Sequence, residues 1–218
     1  LAAIKKKEKM LKRFFSKKEK EVIPDKPIGF GYKNKWIAVK SCNKEEVAKF
    51  LNLKKVKESN WEDGIKYGYE KGIFITPEIN GWILVLGIDI SDLDMNETRE
   101  LLETVSTKFD ECQIFLTQRT IEYHFWGLAK KGKIERLYSF FIESEESLLN
   151  VGEPTAVEKK YRFINSLSKK VNNYEHYEGE DVKFPNEQIV MEIAENWSIN
   201  PTKIKEYKNL EGIGLIGK

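Results

Sequence analysis

The densest run of potentially reactive side chains lies between Thr117 and Trp126. Thr117-Gln118-Arg119 is followed by Glu122-Tyr123-His124-Phe125-Trp126. If Ile121–Leu128 is a strand, as its apolar content predicts, alternation places Glu122, His124 and Trp126 on one face. A carboxylate beside an imidazole raises the imidazole pKa and makes an acid–base pair. Arg119 stands near enough in sequence to hold an anionic group. This would suit a small hydrolase or ligand-binding enzyme using Glu122 and His124, but no clear nucleophile or metal set accompanies them. The blander expectation is a hydrogen-bonded patch on an open sheet face. A recognition surface fits the residue types better, because Trp, Tyr and Arg are the usual anchors of interfaces. The expected binding residues are therefore Arg119, Glu122, Tyr123, His124 and Trp126. Trp82 joins them from a wider aromatic set of Phe30, Tyr32, Trp36, Trp61, Tyr67 and Tyr69 that could line a groove.

Other motifs carry less. Gly212-Ile213-Gly214-Leu215-Ile216-Gly217 has the G-x-G-x-x-G spacing, but only one residue follows it. That pattern holds a pyrophosphate only where a helix begins at its end, so the tail reads as a flexible or docked apolar end. Asp89, Asp92 and Asp94 suggest a calcium loop, but the sixth position from Asp89 is Asp94 rather than Gly. Cys42 and Cys112 make no disulfide framework and, with His124 and His176, no zinc site. No metal and no cofactor are expected.

Composition narrows the class. The chain has 218 residues, 40% of them apolar, enough for a substantial core without staples. The longest nearly unbroken apolar run, Trp82–Ile88, is too short to cross a bilayer. Residues 1–21 carry nine basic and three acidic side chains, a local net of +6, while the remaining 28 basic and 32 acidic residues give −4. Lysine outnumbers arginine 32 to 5. Because the guanidinium fork is the usual reader of guanine and phosphate, specific nucleic-acid recognition is not expected. In the basic head, Ile4, Leu11, Phe14 and Phe15 share a helical face. Phe14 and Phe15 would dock on the body or make weak contact with anionic membrane. The expected location is cytoplasmic, with peripheral membrane association through residues 1–21 as the variant.

The elements that must position these residues follow from pattern. Residues 1–21 form the basic amphipathic segment and 22–29 a Pro- and Gly-containing linker. An α+β sheet domain spans 30–150, and a C-terminal helical extension packed on it spans 151–218. Within the sheet domain, Lys35–Lys40 is a strand and Asn43 caps a helix with Val47, Phe50 and Leu51 on one face. Asn60–Tyr69 is aromatic and irregular. Gly72–Ile79 and Trp82–Ile88 are joined by Asn80-Gly81, the strongest short hairpin signal. Asp94 caps a helix buried through Leu101, Leu102, Val105 and Phe109. Strands follow at Cys112–Thr117, Ile121–Leu128 and Ile134–Ile142. The first six elements run β-α-β-β-α-β, a ferredoxin-like order. The expected fold is thus a mainly antiparallel sheet extended by two strands. Beyond Gly152-Glu153-Pro154, Thr155 with Glu158 forms a capping box, and helical spacing runs from Val157 to Val171. Asn172–Pro185 is a tyrosine-rich acidic loop. Asn186 caps a helix with Ile189, Val190, Ile193, Ala194 and Trp197 inward, and Asn186–Tyr207 reads as a helical hairpin.

Taken together, Phe30-Gly31-Tyr32-Lys33 with Trp36, Thr76-Pro77…Asn80-Gly81-Trp82, Arg119…Glu122-Tyr123-His124…Trp126, Gly152-Glu153-Pro154-Thr155 and Trp197-Ser198…Pro201 form a pattern. It resembles a family of uncharacterised bacterial proteins of about this length, from Phe30 to the C-terminus. The resemblance implies a small α+β protein of the kind that serves as an immunity partner to a bacterial toxin, and it transfers no residue role. The expectation is a non-enzymatic bacterial protein-binding module acting by occlusion, with a protein partner.

Overall fold

The computed structural model describes residues 21–32, 34–88, 95–141, 143–144, 146–163 and 183–218. The basic head with Phe14 and Phe15, the Asp89–Asp94 segment and most of the tyrosine-rich loop lie outside the described residues. So does the part of the expected Val157–Val171 helix beyond Phe163.

The protein is α+β, built on a nine-stranded sheet whose strand pairs are all antiparallel. The strands are β1 (Lys35–Lys40), β2 (Lys57–Asn60), β3 (Ile73–Ile75), β4 (Trp82–Leu86), β5 (Glu111–Gln118), β6 (Tyr123–Lys130), β7 (Lys133–Phe141), β8 (Glu146–Val151) and β9 (Ile213–Gly217). They lie side by side in the order β2-β9-β3-β4-β1-β5-β6-β7-β8. The helices are α1 (Lys44–Phe50), α2 (Trp61–Glu70), α3 (Met95–Phe109) and α4 (Glu187–Trp197), with 3₁₀ turns at Glu158–Lys160 and Pro201–Glu206.

Local chemistry accounts for several boundaries. Asn43 accepts from the Glu46 amide at 2.9 Å and starts α1, and Asn186 accepts from the Ile189 amide at 2.9 Å and starts α4. Asn80 (φ 49°) and Gly81 (φ 82°) form the tight turn that joins β3 to β4. The Ile79 and Trp82 backbones exchange hydrogen bonds of 2.7 and 3.0 Å across it.

Both sheet faces are covered. Ile37, Val39, Val85, Ile114, Phe125 and Leu137 meet Val47 of α1 and Leu102, Val105 and Phe109 of α3 in one core. Trp36, Leu84, Phe115, Trp126, Tyr138 and Phe140 meet Trp61 of α2 and Ile189, Val190 and Ile193 of α4 in the other. The second face is organised as rows across neighbouring strands. Trp36, Phe115, Trp126 and Tyr138 are register partners on β1, β5, β6 and β7. Trp36 stacks on Phe115 at 5.1 Å between centroids, and Trp126 on Tyr138 at 4.8 Å.

Three expectations are corrected, and the 22–29 linker, irregular as expected, gains anchors. Asn60–Tyr69 is not irregular: Asn60 accepts from the Asp63 amide at 3.0 Å and caps α2. Glycine lets this helix lie flat on the sheet, since a Cβ on Gly64 would stand 2.2 Å from the Phe74 ring. The Gly-rich tail is neither flexible nor merely docked, because β9 is inserted between β2 and β3. Residues 213–217 therefore belong to the sheet rather than to a separate helical extension. Finally, the 22–29 linker is anchored to the fold. The Asp25 carboxylate accepts from the Trp61 and Glu62 amides at 2.7 and 2.9 Å, at the positive end of α2. The Phe30 amide donates to the Pro201 carbonyl at 3.1 Å.

Candidate functional site

The residues expected to form one surface are divided by the structure. His124 (3% exposed) and Trp126 (0%) do share a face of β6, but that face lies under α4 and the chain around Glu158. Glu122 is not on the strand. It sits in the β5–β6 turn with φ 47° and is exposed, so the Glu122–His124 acid–base pair does not form. Tyr123 points to the opposite face, half-buried against the α3 core. Trp82 is half-buried at the start of β4, far along the sheet from β6, with the Lys40 ammonium 6.0 Å from its ring centre. Arg119 remains mostly exposed and donates from Nε to the Glu187 carboxylate at 2.9 Å.

The carboxylate that acts on His124 is Glu187, in the first turn of α4. Burial pulls the imidazole pKa down to about 4, against the opposing attraction of Glu187. His124 is thus neutral at physiological pH.

Trp126 belongs to a buried polar pin. Its indole N–H donates to Glu158 Oε1 at 2.9 Å, and Arg136 Nε donates to the same oxygen at 2.7 Å. Oε2 accepts from the Thr155 amide at 2.8 Å and its hydroxyl at 2.7 Å. Arg136 also donates to Asn150 Oδ1 at 2.6 Å and to the Val151 and Gly152 carbonyls at 3.1 Å. Arg136 and Glu158 are each 1% exposed. The pairing satisfies two charges that could not otherwise lie in the core. The Thr155–Glu158 spacing marked two side chains that do meet, but not as a helix-starting capping box: Thr155 donates to Glu158 from both amide and hydroxyl, and among the described residues only the 3₁₀ turn Glu158–Lys160 follows in place of the expected helix. Nothing local in the sequence signalled that Arg136 and Trp126 would converge on Glu158.

A cavity of about 540 Å³ opens at one end of the sheet. Asn34 and Lys35 at the start of β1, Gly68–Gly72 at the end of α2, Gly87, and Leu116–Gln118 with Thr120 line it. Gly87 (φ 85°) gives bare backbone here, since a Cβ would meet the Gly72 carbonyl at 2.0 Å. Tyr69 stands in the wall, about half exposed. Burial pushes its phenol pKa up, against the opposite pull of the Gly31 backbone and the Asn34 side chain. Tyr32 and Ile121, also about half exposed, stand two residues before Asn34 and one after Thr120 in the chain. Thr117, 1% exposed, carries a hydroxyl with no hydrogen-bond partner. Further partnerless buried polar atoms are His124 Nδ1, on the register partner of Thr117, Asn34 Nδ2 in the cavity lining, and Trp36 Nε1 two residues in from it. Native interiors rarely leave such groups unpaired.

Among the described residues, no group of three or more His, Cys, Asp or Glu side chains could hold a metal ion. Among the same residues, no helix is long and apolar enough to cross a membrane. Comparison with protein-family models, with curated proteins and with solved structures finds no match for this chain.

Proposed function

We propose that this protein is a non-enzymatic binding module that recognises a protein partner through the cavity end of its sheet. Occlusion of a bacterial toxin in the cytoplasm is the role that best suits such a module. The carrying observation is the half-exposed Tyr69 in a concave wall that also holds the unpaired polar atoms of Asn34 and Thr117, with half-exposed Tyr32 and Ile121 close in sequence to lining residues. Exposed aromatic and apolar side chains beside a pocket are the ordinary anchors of an interface. Arg119 and Glu122 flank the same end, so two residues of the expected surface stay within the recognition region, while His124 and Trp126 support it from inside. The module carrying this end is read as a ferredoxin-like unit: β1-α1-β3-β4-α3-β5 supplies the strand order β3-β4-β1-β5 with both helices on one face. Helix α4 and the Pro201–Glu206 turn form a short helical hairpin over the other face.

The test is capture from the source organism's lysate with the full chain, compared with Tyr69→Ala and Ile121→Asp. Both changes are at exposed side chains and should leave thermal unfolding within a few degrees of the parent. The expected result is one stoichiometric partner held by the parent and lost by both variants. Equal retention by all three proteins would overturn the assignment of this end as the recognition site.

A further inference from the structure

Among the described residues, three of the five buried side-chain polar atoms without a hydrogen-bond partner belong to residues that stand side by side: Asn34 Nδ2, Thr117 Oγ1 and His124 Nδ1. Thr117 and His124 are register partners on β5 and β6. The Thr117 amide donates to the Asn34 carbonyl at 3.1 Å, one step beyond the Lys35–Leu116 pair. Side chains opposed in this way have Cβ atoms about 4.5–5.5 Å apart, so small turns about side-chain bonds bring their polar atoms together. Their donors and acceptors are complementary. The Asn34 amide donates from Nδ2, a hydroxyl accepts and donates at once, and a neutral imidazole accepts at Nδ1. One chain of bonds, from Asn34 to Thr117 to His124, would satisfy all three atoms.

The position of Asn34 keeps this row open. Its Oδ1 accepts from the Lys35 amide at 2.7 Å. Burial raises the Tyr69 phenol pKa, and the Gly31 backbone and the Asn34 side chain oppose it. Within a carboxamide only the N–H favours a phenolate, so Nδ2 is the atom that faces Tyr69, short of a full hydrogen bond. Leaving buried polar atoms unpaired is costly, and so is shifting side chains in a packed core. Two costs of similar size allow two arrangements, and a contact at one end can choose between them.

We propose that the Asn34–Thr117–His124 row is a two-position switch, open in the free protein and closed when a group bound at the cavity end takes the Tyr69 hydroxyl from Asn34. On the reading of this end as a recognition site, that group is a hydrogen-bonding side chain of the partner. Asn34 then turns to donate to Thr117, the Thr117 hydroxyl donates to His124 Nδ1, and the ring proton is fixed on Nε2. His124 feels the Glu187 carboxylate in the first turn of α4. The closed row thus carries occupancy of the cavity to the layer that covers the sheet.

The experiment is imidazole ¹⁵N NMR of the histidine-labelled full chain at neutral pH, with the His124 signal assigned by its loss in His124→Gln. Tyr69→Phe keeps the ring and removes the hydroxyl, so it imitates an occupied cavity without any partner. In that variant the His124 Nδ1 signal should move upfield, as an acceptor nitrogen does on gaining a donor, with the proton on Nε2. The move should vanish when Tyr69→Phe is made in the Thr117→Val background. It should persist in the Thr117→Ser background, which separates the hydroxyl from packing. An unmoved signal in Tyr69→Phe, an Nδ1–H tautomer there, or the same move in the Thr117→Val background overturns the proposal. The recognition reading fails differently. Capture lost on Tyr69→Ala and Ile121→Asp with a silent His124 keeps the site and dismisses the switch, and capture retained with a responsive His124 keeps the switch and dismisses the site.

Discussion

Replacing Glu158 by Leu should destabilise the fold more than any change at the exposed recognition end. The carboxylate takes hydrogen bonds from Trp126, Arg136, the Thr155 amide and the Thr155 hydroxyl. Its loss leaves the Arg136 guanidinium, 1% exposed, with neutral acceptors only among those named. Removing one member of a buried pair costs about 3–5 kcal/mol. For a chain of this size each kcal/mol lowers the melting temperature by about 2–4 °C, so a fall of about 6–20 °C is expected. Arg136→Met should cost a similar amount, because the stranded charge is then the carboxylate. The double variant carries no buried charge, and leaves unpaired only neutral groups: the Trp126 indole, the Thr155 donors and the acceptors of Asn150, Val151 and Gly152. The two single losses should therefore exceed the double loss by at least about 2 kcal/mol. Urea unfolding followed by circular dichroism gives all four values. A Glu158→Leu loss below about 1 kcal/mol, or a double loss equal to the sum of the singles, would refute the reading of this cluster as a buried, mutually dependent pin.

Two further outcomes follow from buried groups. His124 titrates near pH 4 in the fold against about 6.5 when unfolded, so acid favours the unfolded chain. Its contribution is complete above about pH 6.5 and falls by roughly 3 kcal/mol on reaching pH 4. Urea unfolding of the parent and His124→Gln at pH 7 and pH 4.5 should show the smaller pH dependence in the variant, and parallel curves would count against the burial argument. For the thiols, Cys42 is exposed and Cys112 is buried with its pKa pushed up by burial and by Glu111. Native protein should therefore give one fast equivalent with a disulfide reagent and the second only in denaturant. Two fast equivalents would mean that the start of β5 opens to solvent.

What was legible in the sequence had local causes. Asn43, Asn186 and Asn80-Gly81 each act within three residues of themselves, and their hydrogen bonds and dihedral angles follow from residue type. The residue pattern of β1 and β5 likewise predicts strands there. The missed elements depend on distant partners. Lys57-Glu58-Ser59-Asn60 has no apolar alternation and becomes β2 because β9, more than 150 residues later, pairs with it. The glycines that weaken α2 and β9 as isolated segments are those that let them pack closely: a Cβ on Gly214 would lie 2.4 Å from the Ile75 carbonyl. The same distinction governs the site. Alternation correctly placed His124 and Trp126 together, but whether that face was open depended on α4, some 60 residues downstream. The turn that removed Glu122 from the strand required its positive φ, which no side-chain pattern marks.

The two neighbouring rows of this sheet face separate stability from function. The Trp36–Phe115–Trp126–Tyr138 row stacks, and the indole of Trp126 is satisfied by Glu158. One step along the strands, Thr117 and His124 carry unpaired polar atoms beneath the cavity end. Packing alone gives no reason for a hydroxyl at position 117, since valine has nearly the same shape and no orphaned group. Thr117→Val should therefore stabilise the free protein, by about 1 kcal/mol, where most core substitutions destabilise. If Thr117→Val instead destabilised the free protein, the hydroxyl would have a structural partner, such as a tightly held water, and the polar row would be part of the core rather than of a site.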